Sequence, residues 1–218
     1  MTHPAFSQSE YDRRLTLTRT AMAERGIDIL FVTDPSNQAW LTGYDGWSFY
    51  VHQGVIVTMD RDPIWWGRMM DMFGGRRTCW MSHDNIIGYG DHYIQSTEFH
   101  PMADLARIIK DMGYETARLG VELENYYYSA KAHLVLTFEL PNVTVIDATA
   151  LVNWQRLIKS ADEIAFIEKA ARISEKVITT AIERAAPGLR KNDLVADIMH
   201  AGITGVGDDW GIILRLCL

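Results

Sequence analysis

The chain has 218 residues, of which 48% are apolar and 22% charged, enough to bury a sizeable core and too balanced for disorder over most of its length. A formal net charge of -7, with no stripe of Lys or Arg, disfavours a phosphate backbone as partner and so argues against nucleic acid. The two cysteines, Cys79 and Cys217, lie far apart and in no metal-ligand spacing, which excludes a disulfide scaffold or zinc finger and fits a reducing, cytoplasmic compartment. The first ten residues lack the basic and apolar regions of a secretory signal, and no apolar run approaches the ~20 residues a membrane span needs.

In chain order, Ser7 followed by Glu10 has the capping-box pattern and predicts a helix over 10–25, with Leu15, Ala21 and Met22 on one face and Gly26 as its stop. The β-rich run IDILFVT at 27–33, closed by Asp34 and Pro35, predicts a buried strand. Two further strands are predicted over 49–59 and 63–66, with turn chemistry at Asp60, Arg61, Asp62 and Pro63. Residues 67–100 read as less regular. Pro101 opens a predicted helix ending at Gly113, with Leu105, Ile108, Ile109 and Met112 inward. A strand at 119–122, a helix at 129–139 and a strand at 142–146 complete a βα pattern, which implies an open sheet with helices packed on it.

After Asp147 the pattern turns helical. Ser160 and Glu163 form a second capping box, and Ile164, Ile167, Ala171, Ile178, Ala181 and Ile182 follow at helical spacing, stopped by Pro187 and Gly188. A further helix over 191–203 groups Leu194, Ile198 and Ala201. No strand follows for these helices to cover, so the expectation is one complete domain over 1–150 and the start of a second over 151–218 that needs more chain, with the change at about 148–153.

Two segments carry a family resemblance. The run NQAWLTGY at 37–44 resembles the N-x-x-Y-L-T-G-Y signature of the creatinase/aminopeptidase ("pita-bread") superfamily, with Trp40 in the usual Tyr position. The run RLIKSADEI at 156–164 resembles its R-x-x-K-S-x-x-E-I entry to the catalytic domain, and Gly120, Val121, Glu122, Asp147 and Ala148 stand where the family carries similar residues. The resemblance implies a creatinase-type amino-terminal α/β domain with an open mixed sheet and flanking helices, followed by the first helices of an incomplete pita-bread domain. Within the superfamily, residues 44–50 and 207–211 look most like bacterial ectoine hydrolases, which open the cyclic amidine of ectoine to N-acetyl-diaminobutyrate.

The same resemblance implies that the catalytic groups lie on a curved sheet beyond this sequence, where metal-dependent relatives hold their ions with two Asp, one His and two Glu. No catalytic residue, metal ligand or cofactor is therefore expected in this chain, which is expected to be inactive alone. An Xaa-Pro peptidase reading would bring a divalent metal in the complete protein. A third reading, of another class, is a non-catalytic dimerisation or binding module. The tail IILRLCL at 212–218 does not match what the family carries next, which implies a truncation or a frameshifted end.

The aromatic segment 43–54 is the main candidate site. Tyr44, Trp47, Phe49 and Tyr50 crowd with His52 between glycines, and such a wall suits a small cationic substrate. Ordinary packing at a sheet edge is the competing reading. In creatinase-like dimers the corresponding segment reaches the partner subunit's active site, so the resemblance implies a homodimer in which Trp47, Phe49, Tyr50 and His52 cover the partner's substrate pocket. Ungapped matching puts Phe49 at a substrate-contact position of creatinase and Val51 where creatinase has Arg, which argues against creatine chemistry. If the segment is a strand, Trp47 and Phe49 share one face, and Tyr50 and His52 the other.

Other candidates read as structural. Ser82, His83 and Asp84, and Asp91 with His92, lack the i, i+4 spacing of a helical metal site. Asp208 and Asp209 read as a polar turn. Arg156, Lys159 and Glu163 read as a salt-bridge and capping set at the domain joint. The glycines at 202, 205 and 207 follow a helix instead of preceding one, which rules out a phosphate cradle.

Overall fold

The computed structural model describes residues 4–48 and 50–209. It divides into two compact units, 1–157 and 158–218.

In the first unit, α1 (Gln8–Glu24) begins at Ser7, whose hydroxyl accepts from Glu10 N at 3.3 Å. Glu10 turns its carboxylate to Arg13 and Arg14, at 2.7 and 2.8 Å, so only the Ser half of the expected capping box is seen here. Leu15, Ala21 and Met22 are buried together, and the helix stops at Gly26, whose φ of +62° suits glycine. There follow β1 (Ile29–Val32), α2 (Pro35–Thr42), β2 (Gly54–Thr58), β3 (Ile64–Arg68), α3 (Met69–Thr78), β4 (Ile86–Tyr89), α4 (Pro101–Asp111), β5 (Arg118–Val121), α5 (Ala130–Glu139), β6 (Thr144–Asp147) and α6 (Leu151–Gln155).

The six strands form one sheet in the order β4-β3-β2-β1-β5-β6. Only β2 runs antiparallel to its neighbours; β3 pairs β4, and β5 pairs both β1 and β6, in parallel. Strand alternation sorts the core onto two faces. Leu30, Val32, Val55, Val57 and Trp65 meet α1, α2 and α6 on one face. Ile29, Phe31, Ile56, Trp66, Leu119 and Val121 meet α4 and α5 on the other. β1 is buried throughout, which is why its sequence is a continuous apolar run.

The sequence expectation and the structure differ in four places. The strand predicted over 49–59 begins only at Gly54. The stretch 67–100, read as irregular, holds α3 and β4, and α2 occupies the first family motif. α6 packs into the first core through Leu151 and Val152, so the compact units divide after it.

The second unit holds α7 (Ala161–Arg184) and α8 (Lys191–Thr204). The capping box at Ser160 is complete, with Glu163 N donating to Ser160 Oγ at 3.2 Å and Ser160 N to Glu163 Oε2 at 2.7 Å. Arg184 pairs with Asp197 at 2.7 Å, and Lys176 donates to Gly205 O at 2.6 Å. No helix of the described residues is long and apolar enough to cross a membrane.

Candidate functional site

The parallel strands place the ends of β1, β3, β4, β5 and β6 along one edge of the sheet, and antiparallel β2 begins at that edge. Ligands of open α/β sheets bind outside these carboxyl ends. Two clusters lie there.

The first surrounds Glu122, which follows β5 and is 3% exposed. Its Oε2 accepts from Thr33 N at 2.6 Å and Asp34 N at 2.8 Å, and its Oε1 from Asn37 Nδ2 at 2.6 Å. Asn37 Nδ2 also donates to Asn153 Oδ1 at 2.8 Å, and Asn37 Oδ1 accepts from Arg156 Nη1 at 2.7 Å. Arg156 stands 4.0 Å from Asp34. Burial pushes the Glu122 carboxyl up from its ordinary range, while the backbone N–H groups of Asp34 and Thr33 pull it back. Both family motifs thus meet in one hydrogen-bonded knot that ties β1, α2, β5 and α6. Its donors and acceptors are engaged with one another, so it holds the rim.

The second cluster is the aromatic segment. It leaves α2 through Gly43, at φ +79°, where a Cβ would meet Tyr11 Oη at 2.6 Å and Thr78 O at 3.0 Å, so only glycine fits. Tyr44 turns inward onto Trp65, with ring centroids 4.6 Å apart, and is buried. Trp47 is 50% exposed and donates its indole N–H to Tyr127 Oη at 2.9 Å. Tyr50 is 52% exposed, and its hydroxyl accepts from Arg68 Nη1 at 3.1 Å. Arg68 is itself held by Asp91 at 2.9 Å. The His52 carbonyl accepts from Tyr89 Oη at 2.6 Å, and the His52 ring lies 4.9 Å from that of His100. Burial pushes His52 below its ordinary range; it lowers His100 to about 4, helped by His52 and Lys131. Phe49 lies outside the described residues.

The described residues of 43–53 are not in a strand, so the alternation expected to put Tyr50 and His52 on one face does not apply. The structure instead exposes one member of each expected pair, Trp47 and Tyr50, and half-buries His52. Sequence reasoning did not single out Tyr127, Arg68 or His100. The run Tyr126, Tyr127, Tyr128 was the one local signal that could have flagged the first.

The remaining candidates are engaged elsewhere. His83 Nε2 lies 3.0 Å from Arg76 O, and His92 packs against Tyr93 and Phe99. Asp209 pairs with Lys169 at 2.8 Å and Arg172 at 3.5 Å. Among the described residues, no three His, Cys, Asp or Glu side chains stand together as a metal ion would require.

Residues 14–158 match the Creatinase/Prolidase N-terminal domain. The chain is 50% identical over 201 residues to an ectoine hydrolase of Halomonas elongata, covering 92% of this chain and 50% of that protein. It is 40% identical over 208 residues to an uncharacterized hydrolase/peptidase of Sinorhizobium fredii, covering 95% and 53%. Among solved structures, an Xaa-Pro dipeptidase from Bacillus anthracis superposes with a TM-score of 0.66 at 18% identity, covering 89% of this chain and 50% of that one, a likeness of fold. The chain spans about half the length of the curated relatives it matches.

Proposed function

The chain belongs to the Creatinase/Prolidase N-terminal domain family, and from that premise we propose that it forms the amino-terminal portion of an ectoine-hydrolase-like enzyme. The observation that carries this reading is the 50% identity over 201 residues, at which side chains as well as fold are shared. The complete enzyme would hydrolyse the cyclic amidine of ectoine, in the cytoplasm and as a homodimer, with the aromatic segment of one subunit over the pocket of its partner. The exposed rings of Trp47 and Tyr50 support that placement. Ectoine carries a delocalised cation, and an aromatic face contributes on the order of 1–2 kcal/mol to such a charge when water is excluded.

No residue of this chain is assigned to bond making or breaking. The competing peptidase reading would bring a divalent ion to the complete protein; no three His, Cys, Asp or Glu side chains of the described residues stand together to hold one. The 218-residue chain alone is expected to be inactive, because general acid and base groups must lie within hydrogen-bond reach of the scissile bond.

The test is an assay of the full-length protein on ectoine and on an Xaa-Pro dipeptide. Turnover of ectoine is expected, with Trp47→Ala lowering kcat/KM about tenfold, since ~1.4 kcal/mol is a factor of ten. Turnover of the dipeptide without ectoine would install the peptidase reading in its place. Normal kinetics in Trp47→Ala with a lowered Tm would show that the segment is packing.

A further inference from the structure

The aromatic segment is fastened at its polar edges. Trp47 is half exposed, yet its indole N–H is fixed at 2.9 Å to the hydroxyl of Tyr127, eighty positions further along the chain. Tyr127 sits in the turn between β5 and α5, and that turn is rigidly founded. Tyr127 N donates to Asn125 Oδ1 at 2.9 Å, Asn125 Nδ2 reaches Glu122 at 3.4 Å, and the next residue, Tyr128, is buried at 4% exposure. On the other side Tyr50 is tied by Arg68, itself anchored to Asp91. A contact that served only to hold the segment down would bury the indole. Here the edge is tied while the residue stays half exposed, which fixes the direction in which the ring faces.

We propose that Tyr127 is a positioning residue, which acts through Trp47 by orienting its indole toward the delocalised cation of the substrate. This inference rests on the ectoine reading above. A ring already held in its bound orientation loses less freedom when ligand arrives, so the effect belongs in binding and not in the chemical step.

The experiment is a double-mutant cycle in the full-length enzyme, with kcat, KM for ectoine and Tm measured for wild type, Tyr127→Phe, Trp47→Phe and the double variant. Tyr127→Phe keeps the ring and removes the acceptor. It is expected to raise KM about three- to tenfold, the range of one modest hydrogen bond, with kcat and Tm held. Trp47→Phe has no N–H to donate, so adding Tyr127→Phe to it should change KM no further. A Tyr127→Phe variant with lowered Tm and normal KM, or one whose KM penalty persists in the Trp47→Phe background, overturns the inference. A wild-type KM in Trp47→Phe and Tyr127→Phe alike, in an enzyme that hydrolyses ectoine, overturns it while the ectoine reading stands. Absence of ectoine turnover in the wild type overturns that reading, and this inference with it.

Discussion

Glu122 accepts from donors at both of its oxygens, two backbone N–H groups on Oε2 and the Asn37 amide on Oε1. Glu122→Gln is nearly isosteric, so a packing argument alone makes it neutral. The amide, however, carries one acceptor and one donor, and either orientation sets an NH2 against a buried donor. Such a conflict costs about 1–3 kcal/mol, and for a chain of this size that is a fall in Tm of roughly 5 °C. Differential scanning calorimetry on the 218-residue protein checks it, and an unchanged Tm would show that the donors around position 122 do not need both carboxylate oxygens. Arg156 and Glu122 were both visible as motif positions, but the sequence reading took Arg156 for part of a salt-bridge set. It donates to the Asn37 side-chain oxygen at 2.7 Å, and Asp34 stands 4.0 Å away. Beyond the run of three tyrosines at 126–128, nothing local marked Tyr127, Arg68 or His100 as part of this cluster, because each joins it through a partner far away in sequence. The aromatic segment itself was legible, since four aromatics and a histidine between glycines stand out in any context.

α4 is capped by an unusual residue, His100, whose Nδ1 accepts from Met102 N at 3.2 Å. An imidazolium has no acceptor and carries a positive charge at the positive end of the helix dipole, so protonation removes the cap and adds repulsion. His52 and Lys131 add to that repulsion. The folded-state value of about 4 lies below the ordinary 6.5, so the neutral form is favoured by folding. The stability linked to it is complete above 6.5 and is lost as pH falls through about 4. His100→Asn keeps a capping oxygen that does not titrate. The drop in urea midpoint between pH 7 and pH 4 should be smaller in this variant than in the wild type; an equal drop would place the pH dependence elsewhere. Among the elements, α1, α4, α5, α7 and α8 were legible because each has a cap signal, a stripe of apolar residues or both. β1 was legible as a continuous apolar run. α3 was not, since its two glycines disfavour helix and it leaves Met69, Met70 and Phe73 exposed, with no buried stripe to read. β4 has a glycine in its middle, where a Cβ would meet Met69 Cα at 2.8 Å, and that packing demand erased its strand signature. The predicted strand over 49–59 was too long because the aromatics ahead of Gly54 have strand propensity without strand pairing.

At the scale of the whole molecule, the two units differ in how they bury apolar surface. The first has a sheet with a core on each face, and its helices end in it. In the second, Ile164, Ile167, Ile178 and Ile182 are 48%, 49%, 60% and 72% exposed, and of its described apolar side chains Ala201 alone is buried. The two helices have little hydrophobic free energy behind them, and the exposed ion pairs Arg184–Asp197 and Lys169–Asp209 contribute at most about 1 kcal/mol each, with one hydrogen bond from Lys176 to Gly205 O beside them. Stability is therefore expected to be uneven along the chain, with α7 and α8 opening at far lower cost than the sheet. The sequence placed the change of character at about 148–153, from the end of the βα pattern; Leu151 and Val152, buried in the first core, carry the protected region through α6. Limited trypsin digestion reads this directly. Arg156 is engaged with Asn37, whereas Lys159 is exposed just before α7. An early cut after Lys159 is expected, followed by loss of α7 and α8 through sites such as Arg184 and Arg190, leaving an amino-terminal core that persists. Mass spectrometry of the time course would identify the product by its end. A species retaining α8 that survives as long as the core would mean that the helical hairpin is as stable as the sheet, and that its exposed isoleucines are covered in solution.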